Sequence, residues 1–416
     1  MREMKDSGIK WIGNVPSNWK LSKIKYMTTQ RECVGKYSPE KDKFIGLENV
    51  IGFADRYIET STEYEVSIYD VCRKGDILFG RLRPYLAKIL TVPFDGYCTG
   101  EFLVFDSFDG CKNYLKYVLL SKPFIDEVNL STYGAKMPRA NADFILNMYL
   151  PLPKIGEQEK IAGFLDSQCS EIDAISADIQ KEIETLEQYK HSVITEAVTK
   201  GLNPDVEMKN SGLRWCEKIP ATWEVIPAKY LFHNSDTRKF PNDELLTASQ
   251  KYGLISQTDY MKRENAKIVL ANAGIENWKH VEPNDFVISL RSFQGGLEMS
   301  EISGCVTWHY VVLRAAQKVF QRYYKWLFKS SKYINALQAT CNFIRDGQDL
   351  RFSNFAKVPL FIPPYKEQCE IAAYLDEKTT AIDAVMQSKK KQLEVLDSYK
   401  KSLIYEYVTG KKEVVQ

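Results

Sequence analysis

The sequence predicts an α+β protein made of two mixed modules, each followed by a long helix. Three observations carry this. First, E-Q-x-x-I-A-x-x-L-D occurs twice, in GEQEKIAGFLD from Gly156 and KEQCEIAAYLD from Lys366, at an offset of 210 residues in a chain of 416. Second, the stretches MKDSGIKWIGNVPSNW from Met4 and MKNSGLRWCEKIPATW from Met208 repeat at an offset of 204. They align Trp11, Pro16 and Trp19 with Trp215, Pro220 and Trp223. Third, each E-Q motif opens a long segment with apolar residues at helical spacing.

The duplication runs through the whole chain. GDILFGRLRPY from Gly75 resembles NDFVISLRSFQGG from Asn284, and LPLP at 150–153 resembles LFIPP at 360–364. Ile172-Asp173-Ala174 returns as Ile382-Asp383-Ala384, Tyr189-Lys190 as Tyr399-Lys400, and Val198-Thr199 as Val408-Thr409. The drift in offset places insertions inside the module. The segments are a module at 1–156, a helix at 157–203, a module at 204–365 and a helix at 366–416.

In the modules, short β-branched and aromatic runs bounded by Gly, Asp and Asn read as strands: DILF at 76–79, FLVF at 102–105, FVIS at 286–289 and YVVL at 310–313. NYLKYVLLS at 113–121 and YYKWLFKSS at 323–331 read as short helices. The four repeated tryptophans are expected to pack, because a feature shared by both modules suits a shared structural duty.

From Glu157 to Thr199 there is no proline, and only Gly163 interrupts the helical pattern. Apolar residues fall at Ile161, Leu165, Ile172, Ile175, Ile179, Ile183, Leu186, Tyr189, Val193 and Ala197, a single stripe. Pro153 precedes the segment, and Gly201 sits where a C-terminal cap belongs. The second segment repeats the stripe with Ile371, Leu375, Ile382, Val385, Leu393, Leu396, Tyr399 and Leu403, ending at Gly410, although Lys389 occupies the position matching Ile179. About 40 helical residues make a rod of roughly 60 Å. Such a stripe needs cover, and the other helix is the natural partner.

Bulk composition is that of an ordinary globular chain, with 44% hydrophobic and 26% charged residues. No apolar run approaches the roughly 18 residues of a membrane span, and the start lacks a signal-peptide pattern, so a cytoplasmic location is expected. Nine cysteines contain no C-x-x-C pair, and the four histidines lie far apart, which argues against disulfide and zinc frameworks. The net charge of +2 hides a pattern. The modules carry +3 and +5, the first helix −6 and the second helix 0. Positive modules joined by an acidic spacer suit two phosphate-facing bodies.

Together these features resemble the specificity subunit of type I restriction–modification systems. The resemblance rests on the module–helix–module–helix order, the S-G-[IL]-x-W…P…W openings, G-D-I-L-F ahead of Arg81, the prolines before each E-Q motif, and the I-D-A helices. It covers nearly the whole chain. It implies two target-recognition domains in a pseudo-twofold arrangement, separated by two helices that pair as an antiparallel coiled coil. It implies a chain without catalytic activity that binds double-stranded DNA at a bipartite, asymmetric site. Two modification (methyltransferase) subunits and two restriction (motor-nuclease) subunits are the implied partners. S-adenosylmethionine, ATP and Mg are then expected on those partners, and no cofactor or metal in this chain.

Within that frame, period-two geometry puts Arg81, Arg83 and Tyr85 in one row after DILF. Arginine pairs bidentately with guanine or phosphate. The matching stretch offers Arg291, Ser292 and Gln294. A second basic cluster precedes each long helix: Lys136 and Arg139, then Arg345, Gln348 and Arg351. Lys36 and Lys239 are further candidates. For each, a surface salt bridge or plain phosphate contact is the competing assignment. Glu157, Gln158, Glu367 and Gln368 are candidates for docking a partner, against a simpler role at the helix N-terminus.

Other functions fit less well. Ile362-Pro363-Pro364-Tyr365 resembles an amino-methyltransferase motif but puts Ile where Asn or Asp must accept the target amino group. Asp205, Glu207 and Lys209 echo a nuclease site but are crowded into a linker. No Walker-type phosphate loop is present. A coiled-coil adaptor that binds protein and not DNA is the main alternative, favoured by the small net charge.

Overall fold

The run GDILFG folds into a strand, Ile77–Gly80, buried along its whole length. The computed structural model that shows this describes residues 2–134, 136–249, 251–265, 274–289, 297–340 and 350–414. The strand lies between Ile89–Thr91 and Phe102–Phe108 in an antiparallel sheet, with Thr28–Gln30 at the far edge. Side chains alternate across a strand. Ile77 and Phe79 therefore join Ile89, Leu103 and Phe105 in the core under the helices. Leu78 joins Leu90, Phe102 and Val104 on the other face, with Ile45, Cys72 and Cys98 of a second sheet. Burial on both faces explains why Ile77–Phe79 and FLVF are continuous apolar runs and not alternating ones.

Lys112–Leu120 and Lys122–Leu130 are the helices over this core and bury Tyr114, Leu115, Val118, Phe124 and Ile125. They break at Ser121, and Pro123 sits in the first turn of the second, where no N–H is needed. The second module repeats the plan. Phe286–Ile288 lies between Val311–Ala315 and Glu298–Met299, with Phe232–Asn234 at the edge. Its register Phe286↔Leu313 is the counterpart of Ile77↔Phe105. Gln321–Lys329 and Ser331–Gln338 are its helices, burying Tyr324, Phe328 and Tyr333.

Each central strand follows a buried aspartate, the Asp of GDILF and NDFVI. Asp76 accepts from the Arg73 backbone N–H at 2.8 Å and from Arg31 Nε at 2.8 Å. Asp285 accepts from the Glu282 N–H at 2.9 Å and from Arg314 at 2.7 Å. A buried carboxylate needs such partners. Arg31 follows the edge strand Thr28–Gln30, whereas Arg314 lies within Val311–Ala315, so the modules share the requirement and not the residue.

The long helices span Ile155–Lys200 and Tyr365–Val408. Two compact units cut across the sequence segments: Met1–Gln180 with Lys390–Gln416, and Lys181–Lys389. Each unit thus holds one module, the start of the helix after it and the end of the other helix. In the first unit, the rings of Phe164 and Tyr407 lie 4.5 Å apart, and Lys400 reaches Asp173 at 2.7 Å. In the second, Lys389 pairs with Glu182, and Lys190 with Asp383 at 2.7 Å. Rising numbers on one helix meet falling numbers on the other, so both pairings are antiparallel. Lys389, which breaks the expected stripe, is held by Glu182.

Four residues of that stripe lie outside the seam. Ile175, Val385, Tyr189 and Tyr399 are 43%, 47%, 52% and 49% exposed. They form two sets of counterparts at the 210-residue offset. A stripe of three to four residues per two turns is wider than the seam between two helices, so its flanks stay uncovered. The helices end on Gly201 and Gly410, both at positive φ (75° and 71°).

Candidate nucleic-acid interface

The strand Ile77–Gly80 delivers the chain into the segment Arg81-Leu82-Arg83-Pro84-Tyr85. The expected extended row does not form there. Arg83 adopts the left-handed region at φ 51°, and Pro84–Leu86 closes a tight turn. Proline presets the turn, and the reversal at Arg83 separates the three side chains. Arg81 turns inward and donates to the Gly100 carbonyl at 2.6 Å. Arg83 and Tyr85 are exposed.

The second basic cluster of this module folds against the first. The Arg83 N–H donates to Pro138 O at 2.7 Å, and the Ala140 N–H to Arg81 O at 2.9 Å. Tyr133 and Arg139 exchange backbone bonds at 3.1 and 3.0 Å. Two segments about fifty residues apart in sequence thereby share one edge. Arg139 bonds the Glu101 carboxylate through Nε at 2.9 and 3.0 Å and through Nη2 at 2.5 Å. That pairing holds Glu101 below the usual carboxylate range and raises the Arg139 guanidinium further. Arg81 likewise works against the burial that pushes Asp70 up. Arg81 and Arg139 thus both anchor on the Gly100-Glu101 segment. Arg83 and Lys136 present their charge to solvent.

Sequence reasoning passed over Tyr133 and Met137, which are exposed on this same edge. The signal was present in YGAKMPRAN, where apolar side chains interleave with cations. Lys36 is exposed at the end of the strand Val34–Lys36, while Tyr37 beside it is buried among Phe44, Tyr69 and Tyr97. In the second module Lys239 is half-buried, with its N–H on Trp278 O at 2.8 Å. Arg351 is exposed just ahead of the short helix Phe352–Phe355. Arg291, Ser292, Gln294, Arg345 and Gln348 lie outside the described residues.

The repeated E-Q motif is an internal clamp. Glu157 accepts from the Trp19 indole at 3.2 Å, and Glu367 from the Trp223 indole at 2.9 Å. Gln158 is buried, accepting from the Cys111 N–H and donating to Pro153 O, both at 2.9 Å. Gln368 is buried in the same way, between the Phe320 N–H and Pro363 O, both at 2.8 Å. Both glutamines are therefore engaged inside their own units and offer no face to a partner. The terminal aspartate of the motif, not singled out from sequence, completes the clamp. Asp166 accepts from Lys116 at 2.9 Å and Tyr117 at 2.7 Å. Asp376 accepts from the Trp326 indole at 3.0 Å and pairs with Arg322 at 3.1 Å. Ile161, Ala162 and Leu165, with Ile371, Ala372 and Leu375, fill the two cores. Each motif bolts a long helix to its module.

The end of the other long helix in each unit is gripped by the same module. The Tyr114 hydroxyl lies 2.9 Å from Val408 O, and the Tyr323 hydroxyl donates to Val198 O at 3.0 Å. Burial pushes both phenols far above their ordinary range.

The enzyme-like motifs have structural duties. Ile362 ends a strand, and Pro363 O receives the Gln368 amide. Lys209 donates to Ala221 O at 2.7 Å. Among the described residues no group of three or more His, Cys, Asp or Glu is placed to hold a metal ion, and no helix is long and apolar enough to cross a membrane.

Comparison with known proteins agrees with this layout. The family described as type I restriction modification DNA specificity domain matches twice, at residues 16–185 and 220–395. The chain is similar to the provisionally named type I restriction enzyme MjaX specificity subunit of Methanocaldococcus jannaschii, 22% identical over 441 residues covering 96% of this chain and 95% of that one. It is also similar to the type I restriction enzyme EcoDI specificity subunit of Escherichia coli, 22% identical over 231 residues, 51% of this chain and 50% of the other. A solved chain from work on complex assembly and conformational transition of the type I R-M system superposes with a TM-score of 0.68 at 15% identity, covering 96% of this chain and 99% of that one. The HsdS subunit from Thermoanaerobacter tengcongensis gives 0.50 at 15% identity, over 96% and 98%.

Proposed function

The chain belongs to the type I restriction–modification DNA specificity family, with two copies of the domain, and from that premise we propose that it selects the DNA target of such a system. Each module reads one half of a split duplex site. The modules differ in sequence, so the two half-sites differ and the target is asymmetric. The paired helices set the spacing between them. The chain also acts as a scaffold in the cytoplasm: two modification subunits dock on it, and two restriction subunits join the complex. Methyl transfer and cleavage then belong to those partners, with their S-adenosylmethionine, ATP and Mg.

One observation supports this reading above the rest. The frame is duplicated down to single bonds, as in Trp19–Glu157 and Trp223–Glu367. The segments after the two central strands, RLRPYLAK and SLRSFQGG, have diverged. A conserved mount with changed tips suits two readers of different sequences. In the first module that tip carries Arg83 outward, and Lys136 is exposed on the neighbouring segment, where DNA contact needs charge.

The test is a module exchange. Residues 1–156 are replaced by the corresponding module of a relative, and the sites methylated by the assembled complex are compared. One half-site changes and the other stays if the modules read independently. A change in both halves contradicts the proposal.

A further inference from the structure

The edge shared by the two basic segments of the first module holds more than phosphate contact requires. Tyr85 is 49% exposed, Met137 54% and Tyr133 60%. They are held in place by the backbone bonds Arg83 N–H to Pro138 O and Tyr133 to Arg139, and by the Arg139–Glu101 pairing beneath. Left-handed backbone at Arg83 and Ala87 brackets the turn that carries Tyr85. The nearby cations Arg83 and Lys136 are also exposed. A surface of this kind matches a polyanion that also offers apolar contact.

A duplex has two apolar features: the 5-methyl group of thymine in the major groove, and the base faces, exposed only after unstacking. Unstacking carries a free-energy cost at each step, whereas a methyl group is already exposed. We infer that Tyr85, Tyr133 and Met137 form an apolar reading edge that contacts thymine methyl groups in the half-site of the first module. Lys136 holds the flanking backbone, and Arg83 adds charge beside it. Arg139 acts as a positioning residue for this edge through Glu101. The inference rests on the DNA-reading proposal and adds what chemistry is read.

The test uses the full chain assembled with its modification subunit and the half-site identified by methylation mapping. Each thymine of that half-site is replaced in turn by deoxyuridine, which removes only the methyl group. At one or more positions the affinity falls about fourfold, the weight of one buried methyl. The variant Tyr85→Ala/Tyr133→Ala/Met137→Ala no longer distinguishes the two bases, while Lys136→Gln still does. The three side chains are exposed, so truncation leaves the core intact; Met137→Ala alone provides a second, milder variant with a reduced response.

A half-site without thymine overturns the inference, as does equal affinity for both bases; in either case the DNA-reading proposal stands. Loss of the modification subunit from the triple variant means that the edge binds protein, which also overturns it. A complex that methylates no sequence removes both.

Discussion

The indole N–H of Trp223 donates to the Glu367 carboxylate at 2.9 Å, tying the opening of the second module to the first turn of the helix that follows it. Trp19 and Glu157 do the same in the first unit at 3.2 Å. Trp223 is fully buried beneath Glu367, so truncating Glu367 takes the acceptor from a buried indole N–H. Glu367→Ala should therefore destabilise the protein by about 1–3 kcal/mol, the cost of an orphaned buried donor. Trp223→Phe with Glu367→Ala should cost less than the sum of the single changes. Denaturant unfolding of the four proteins in this cycle measures the coupling. The Glu157 side also carries Arg2, so its cycle spreads over three residues.

The two capping glycines are not equivalent in their surroundings. At Gly410 a Cβ would lie 2.5 Å from Pro16 Cδ, and 2.9 Å from the Trp19 ring. At Gly201 it would lie 2.7 Å from the Glu367 Oε1, the end of a more flexible side chain. Both alanine variants meet left-handed strain of about 1–2 kcal/mol, and Gly410→Ala should be the worse because a proline ring cannot swing away. Gly163 sits in a helix with nothing within 4 Å of its missing Cβ. Gly163→Ala should stabilise by about 0.5–1 kcal/mol. Thermal unfolding of the three variants gives the ranking.

Glu101 and Glu298 should shift stability in opposite directions with pH. Arg139 holds the Glu101 carboxyl low. Its contribution is present above the usual glutamate range, near pH 4.3, and is lost as pH falls through its lower folded value. Burial raises Glu298, although Lys329 at 2.9 Å opposes this. The folded state then binds that proton more tightly than the unfolded chain, so stability declines as pH rises from about 4.3 through the raised value. Unfolding measured from acid to neutral pH should show Glu298→Gln gaining on the parent as pH rises, and Glu101→Gln gaining as pH falls.

Arg83 and Lys136 should separate by their salt response. Lys136→Gln should weaken binding to all duplexes alike and lower the log–log salt slope by about one. If Arg83 pairs with a guanine, Arg83→Gln should relax preference at one base pair by about 1–3 kcal/mol. Titrations at several salt concentrations, with cognate and single-mismatch duplexes, distinguish these roles.

The duplicated frame is legible in the sequence because it depends on residues with narrow physical roles. Trp19, Pro153, Gly201 and the apolar stripe each specify packing or backbone geometry, and each has a counterpart. The interface is less legible because its arginines look alike in one dimension. Arg81, Arg83 and Arg139 differ only in which carbonyl or carboxylate lies within reach, and Gly100-Glu101, which decides this, is about twenty residues from the nearest of them on one side and forty on the other. The polar letters of the E-Q motif mislead for a related reason. Exposed helix starts favour acidic residues, but here Glu157, Gln158 and Asp166 face the module, and only the fold shows that.

The most direct measurement is to co-express the chain with its neighbouring modification subunit in a host free of DNA methylation, and then map modified bases across the genome. A single split motif with two unlike halves and a fixed spacer is the predicted result. A stable complex with a competent methyltransferase that modifies no defined sequence would contradict DNA target selection and favour a protein-binding adaptor.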